Sequence, residues 1–359
     1  MEPSRPTRFP SLLARHCKAL FYIVRHILPA TLRAGRRPVI FSRWGGMGDI
    51  ICTIPAALEL RKRHPGAVFI YNCDPDFKAI PILGGAAEQC THFRGIGLIG
   101  YWYRFLLGGF YHFAHGDDLP DSAAAEPMFT EFCRQFNVPP AESHPRLPVP
   151  EAALARVKNL LAERGVEGKD LIVLHAGPTW PVKEWPAECW TALAEGLRAA
   201  GFSNLAQIGL GGYMKSQQTQ VPHSLGKTVD LGSAAVAAIP KAVSLVDTLS
   251  LEETLAIISL ARLFVGADSG LLHLAACLRA PAVGIFGPTL PRMFYEEKFR
   301  ENFVTTGVEC AGCHHRVPRL HWITGCPYDI KCMKQIPPAE VLRACLNELA
   351  FANLRHLGP

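Results

Sequence analysis

Twice in this chain a short apolar run passes into a glycine- or proline-marked loop and then into a helix-length segment. That repeated opening restricts the fold to layered α/β arrangements with parallel strands. The first copy comprises residues 39–42, the turn Arg43-Trp44-Gly45-Gly46-Met47-Gly48-Asp49 and a helix to about His64, with a further strand at 67–72. The second comprises a helix over 151–164, a strand at 171–174, the loop 175–184 and a helix over 186–200 that proline opens. Between the copies, five of the twelve residues 139–150 are proline, which disfavours helix and central strand and suits a linker.

Further strands are expected at 205–208, 242–246, 263–266 and 282–286, and a helix follows the capping-type Ser250-Leu251-Glu252-Glu253. The glycine- and aromatic-rich stretch 84–121 carries no assignable period. A chain of 359 residues exceeds what one core usually supports. The reading is therefore α/β, with two facing Rossmann-like domains: an arm (1–37), a first domain with linker (38–150) and a second domain (151–359). No repeat with a period of 20–50 residues is present, which excludes a solenoid.

The arm holds eight of the 37 Lys and Arg and one of the 31 Asp and Glu, so the positive excess of the chain sits there and the body is close to neutral. This distribution argues against a protein that lies along nucleic acid with a whole face. Leu13, Cys17, Leu20, Val24 and Ile27 form an apolar stripe opposite Arg15, Lys18 and Arg25. Two readings fit equally: a helix on an anionic membrane surface, or a helix packed on the neighbouring domain. The apolar run is too short to span a bilayer or to form a signal core, so a cytoplasmic protein is expected, peripheral on the membrane under the first of the two readings.

Open α/β sheets bind ligands beyond the carboxyl ends of their strands, and three loops qualify: 45–49, 176–183 and 266–273. None matches the dinucleotide fingerprint or the P-loop. Taken alone, Asp49 beside a helix start reads as an N-cap, Lys183 as solvated surface and His273 as a satisfied core histidine.

Four segments change that weighting. Met47-Gly48-Asp49 with Thr53 and Pro55, the run His175 to Pro186 with Thr179 and Lys183, Gly266-Ala267-Asp268-Ser269-Gly270-Leu271-Leu272-His273, and Phe286-Gly287-Pro288-Thr289 together resemble glycosyltransferase family 9, the heptosyltransferases, from about residue 38 to 350. The resemblance implies the GT-B architecture and inverting transfer of heptose from ADP-heptose to a lipopolysaccharide core acceptor. It assigns Asp49 as general base, Gly46, Met47 and Gly48 to the acceptor-side loop, and Thr179, Lys183, Asp268, Ser269, Gly270 and His273 to the donor pocket. Lys183 would neutralise the departing diphosphate, and His273 would donate to a phosphate oxygen. Asp268 would order the loop rather than touch phosphate. The scheme requires no catalytic cofactor.

Two departures bear on substrate. The segment Ile208-Gly209-Leu210-Gly211-Gly212-Tyr213 lacks the acid that many relatives carry after the glycines, and Gly45 and Gly46 replace small polar residues. Another nucleotide sugar, another surface-glycan acceptor, or a non-catalytic sugar-nucleotide or lipid-binding role are the alternatives. Near the end, Cys310, Cys313, Cys326 and Cys332 form a C-x2-C-x12-C-x5-C cluster with His314, His315 and His321 inside it. Structural zinc, unpaired thiols and a disulfide are all compatible with it; the other eight cysteines are expected as small, mostly core residues.

Overall fold

The computed structural model describes residues 12–34, 38–92, 96–114, 126–166, 170–177, 181–212, 238–315 and 326–356. The strands form two wholly parallel sheets. The first contains β1 (Pro38–Ser42), β2 (Val68–Asn72), β3 (Gln89–Thr91) and β4 (Phe110–Phe113) in the order β3-β2-β1-β4. The second contains β5 (Ile172–His175), β6 (Leu205–Gln207), β7 (Val243–Ser244), β8 (Leu263–Ala267), β9 (Ala282–Phe286) and β10 (Val304–Thr305) in the order β10-β9-β8-β5-β6-β7. Helices cover both faces of the inner strands, so β1, β2, β5, β8 and β9 are buried at every residue and read as continuous apolar runs rather than alternating ones.

In each sheet the chain starts in the middle, builds outward, then crosses back to the other side of its first strand. The reversal falls between β1 and β4 in one sheet and between β5 and β8 in the other. At such a point adjacent crossovers run to opposite faces and leave a cleft at the carboxyl ends of the strands. The unassigned stretch 84–121 supplies β3, the helix Ile96–Leu107 and β4. Edge strands of three or four residues are too short for a period to show.

Two expectations are refined. The arm forms the helix Leu12–Tyr22, a π-turn Ile23–Ile27 and the helix Leu28–Ala34, and it packs on the first sheet: Ala19, Ile23 and Ile27 are buried with Ile40, Val68, Ile70, Ile99 and Tyr103. Of the stripe read from sequence only Ile27 is buried, while Leu13, Cys17 and Val24 are exposed. The wide π-turn advances the buried positions by four residues per turn and rotates the inward face away from the 3.6-residue period. The proline-rich segment, extended as its composition requires, is not a free tether either, because His144 and Leu147 are buried. One continuous core joins Phe41, Ile51 and Phe129 of the first half to Leu274, Phe286 and Tyr295 of the second.

Candidate active site between the two sheets

The loop after β1 lies at the first reversal point. Gly46 precedes the helix Met47–Arg63, and Asp49, its third residue, turns back so that Oδ2 accepts from the Gly46 N–H at 2.8 Å. Any side chain at Gly45 would meet that carboxylate, since a Cβ there would lie 2.8 Å from Oδ2. The glycine that departs from the family pattern thus makes room for the folded-back acid. Asp49 Oδ1 accepts from Arg43 at 2.5 Å, and Arg43 also donates to the Ala114 carbonyl after β4, which ties together the two loops at the reversal point. Burial opposes the Asp49 charge, but the Arg43 guanidinium and the Gly46 N–H outweigh it and hold the carboxyl below its ordinary range. Asp49 is thus not the N-cap that the bare sequence favours, a place Gly46 takes, but the third helical residue bonding back to it, and the carboxylate is ionised at neutral pH.

The second reversal point gathers residues that the sequence assigns to the donor side. Lys183 Nζ donates to Asp268 Oδ2 at 2.6 Å, and Thr289 Oγ1 donates to the same oxygen at 2.7 Å. Burial works against the Asp268 charge and Lys183 restores it, so its acidity is raised overall. Asp268 Oδ2 thus accepts from both partners. Ser269 is the N-cap of the helix Gly270–Leu278, and its hydroxyl lies 3.3 Å from His175 Nδ1. The helix thereby presents its first N–H groups, with the positive end of its dipole, to the same cleft. Thr179 lies outside the described residues.

The two loops meet. A Cβ on Gly48 would lie 2.5 Å from His273 Cδ2 and 2.7 Å from its Nε2, and a Cβ on Gly270 would lie 2.6 Å from Met47 Cβ. Only glycine at both positions permits this approach of backbone from one half to the other. His273 stacks on Tyr295 with ring centroids 4.7 Å apart, and its Nδ1 lies 2.8 Å from His144 Nε2. Burial, then His144, depress the His273 pKa to about 3, so the ring is neutral.

Sequence reasoning missed several of these participants. Arg43 and Thr289 stood inside motifs already singled out, and their charge and hydroxyl were the available signals. His144 was absorbed into the linker, and Glu296, which pairs with it, carries no local pattern. Asp247, after β7, accepts from the Gly211 N–H at 2.8 Å. Among the described residues, the one group of metal-capable atoms within 4.8 Å of one another is Cys52, His144 and His273. The four clustered cysteines are free thiols, as are the other eight, so no disulfide joins them. Cys332 is buried against Gly287, and burial together with Cys310, Cys313 and Cys326 pushes its thiol up to about 12. His321 lies outside the described residues.

Comparison with known proteins agrees with this layout. The sequence profile of glycosyltransferase family 9 (heptosyltransferase) matches residues 106–322, more than half of the chain. Lipopolysaccharide heptosyltransferase 1 of Pseudomonas aeruginosa is 30% identical over 298 residues, covering 70% of this chain and 79% of that protein. Among solved structures, the E. coli ADP-heptose lipopolysaccharide heptosyltransferase II superposes with a TM-score of 0.60 at 15% identity, covering 88% of this chain and 99% of that one. The dodecameric iron-containing heptosyltransferase TibC in complex with ADP-D-β-D-heptose gives a TM-score of 0.64 at 17% identity, covering 88% and 77%. The structural likenesses establish the fold, and the sequence matches establish the kinship: the chain belongs to glycosyltransferase family 9, the heptosyltransferases, and is a glycosyltransferase of GT-B architecture.

Proposed function

We propose that this enzyme transfers heptose from ADP-heptose to a lipopolysaccharide core acceptor with inversion at the anomeric carbon, Asp49 serving as base. The observation that carries the reading is the contact of the two reversal points, where Gly48 meets His273 and Met47 meets Gly270. It brings a carboxylate of one half beside the diphosphate-type pocket of the other. An acceptor hydroxyl becomes acidic as its oxygen bonds to the anomeric carbon. A carboxylate kept ionised by Arg43 then takes the proton late in the step, an effect worth ~10²–10⁴ in rate. On the opposite face, Lys183, Ser269 and the helix beginning at Gly270 hold the diphosphate as negative charge develops on it, and Thr179, outside the described residues, is assigned to the same task by its motif. We assign the donor ribose to Asp247, which lies after β7 and accepts from the Gly211 N–H in the glycine segment that lacks the acid.

Incubation with ADP-heptose and a heptose-deficient core acceptor, followed by mass spectrometry, should show one added heptose. Transfer from a different nucleotide sugar, with none from ADP-heptose, would overturn the donor assignment in favour of a related surface-glycan transferase.

Two peripheral features complete the reading. Among the described residues no helix is long and apolar enough to cross a membrane. The outer face of the arm instead exposes Leu13, Phe21 and Val24 beside Arg15, Lys18 and Arg25, next to exposed Tyr101 and Phe105 of the helix Ile96–Leu107. An apolar face with a basic rim suits the anionic cytoplasmic surface of a membrane, where the acceptor would be anchored. Co-sedimentation with anionic but not neutral vesicles tests this. The metal reading of the four cysteines, zinc or, as the name of TibC says of that protein, iron, rests on their spacing alone, because no three of their sulfurs lie within 4.8 Å of one another. The C-x2-C turn has Gly312 at φ +71, and its backbone docks on the donor-side loop through Gly312 N–H to Gly287 O and His314 N–H to Pro288 O. Metal analysis of the purified protein with and without Cys310→Ser decides it.

A further inference from the structure

We infer that Glu296 and His144 form a relay that fixes His273 as its Nδ1–H tautomer, leaving Nε2 bare toward the Asp49 turn as an acceptor for a substrate hydroxyl. Three parts of the fold contribute: Glu296 from the segment after β9, His144 from the proline-rich connection between the sheets, and His273 from the helix Gly270–Leu278. Glu296 Oε2 lies 2.6 Å from His144 Nδ1, and His144 Nε2 lies 2.8 Å from His273 Nδ1. Arg279 stands 3.5 Å from the other Glu296 oxygen and donates to the His144 carbonyl at 2.8 Å, so the pair is braced on both sides.

The protonation states follow in sequence. Burial of Glu296 opposes its charge, but His144 and Arg279 hold it ionised. A carboxylate only accepts, so His144 Nδ1 must carry a proton. His144 is wholly buried, with its ring stacked on Tyr295 at 5.2 Å and set edge-on to Phe129 at 5.1 Å. Burial lowers its pKa despite Glu296. A neutral imidazole carries one proton, so His144 Nε2 is bare and accepts from His273 Nδ1–H. His273 is neutral as well, and its remaining Nε2 therefore has a lone pair and no hydrogen.

The charged and titratable groups around His273 are His144, Asp268, Asp49, Lys183 and the stacked Tyr295, with Cys52 Sγ 3.8 Å from its Nδ1. Burial, then Asp49, push the Cys52 thiol well above its ordinary value, so it stays protonated and does not compete as an anion. A bare nitrogen repels phosphate oxygens and accepts from a hydroxyl. The role expected of His273 from sequence, donation to phosphate, is thereby replaced by recognition of a sugar hydroxyl. The word substrate here rests on the transferase reading above, whereas the tautomer does not. Glu296 and His144 are positioning residues, since they act through His273.

Histidine-selective 15N NMR of the full-length protein reads the tautomer directly. In the wild type, His273 should show a protonated Nδ1 and a bare Nε2. Glu296→Gln, which replaces a charge-assisted hydrogen bond by a neutral one, should mix the two tautomers and lower kcat on the order of tenfold. His144→Gln can still donate to Glu296 and accept from His273, and should recover most of the turnover that His144→Leu loses. It also serves where the Glu296 variant does not fold. A protonated Nε2 on wild-type His273 would overturn the inference. So would unchanged tautomer and turnover in Glu296→Gln, a His144→Gln no better than His144→Leu, or a stoichiometric metal released by Cys52→Ala. The NMR signature requires no transfer assay, so failure of the relay and failure of the heptosyl reading are separable.

Discussion

Replacing Gly48 by alanine puts the meeting of the two halves to a direct test. The added methyl would lie 2.5 and 2.7 Å from His273 Cδ2 and Nε2, well inside contact distance. The His273 ring cannot swing aside cheaply, being stacked on Tyr295 and bonded to His144. Forcing an extra methyl into such a site costs about 1–3 kcal/mol. Gly48 is helical, so alanine would otherwise gain up to about 1 kcal/mol. The net expectation in the wild type is a loss of about 0–3 kcal/mol. In a His273→Ala background the clash is gone and only the helical gain remains, so the same substitution should become stabilising. The coupling in this double-mutant cycle is thus about 1–3 kcal/mol. Urea unfolding of the four proteins, read by tryptophan fluorescence, supplies the numbers. If Gly48→Ala has the same effect in both backgrounds, the halves do not meet at this point in solution and the site built on their contact fails.

Three further outcomes are expected. Asp49→Asn keeps a side-chain oxygen for the Gly46 N–H but loses the charge that pairs with Arg43, so some stability should be lost while turnover of the folded protein falls by ~10²–10⁴; wild-type kcat in a transfer assay would remove the base assignment. Lys183→Ala should raise the donor KM and leave acceptor saturation nearly unchanged, and it should also destabilise the fold by about 3 kcal/mol because buried Asp268 loses its counter-charge; an unaltered donor KM would contradict it. Burial holds His175 down to about 4 and His273 down to about 3, below the ordinary 6.5. The unfolded chain therefore binds more protons between pH 6.5 and 4, and stability complete above that window should fall through it by about 1.4 kcal/mol per pH unit for each histidine. Equal urea midpoints at pH 7 and pH 5 would refute this.

Local chemistry made much of the protein legible in its sequence. Buried parallel strands must be apolar throughout, so β1, β5, β8 and β9 stood out. Ser250 and Glu253 announced a reciprocal cap that is present, with Glu253 N–H donating to the Ser250 hydroxyl at 3.2 Å. Asp49, Lys183, Asp268 and His273 were singled out because loops after strands carry compact motifs that resemble the family's, not by their local chemistry alone. Tertiary structure alone decided how these motifs combine. His144 and His273 are separated by 129 residues and Arg43 and Ala114 by 71, and hydrogen bonds at such separations leave no periodic trace. The inward face of the arm was set by a π-turn, because packing against Ile40 and Val68 overrode the regular helical period. The proton on His273 is likewise a tertiary property, since it depends on a glutamate and a second histidine brought in by folding from different parts of the chain.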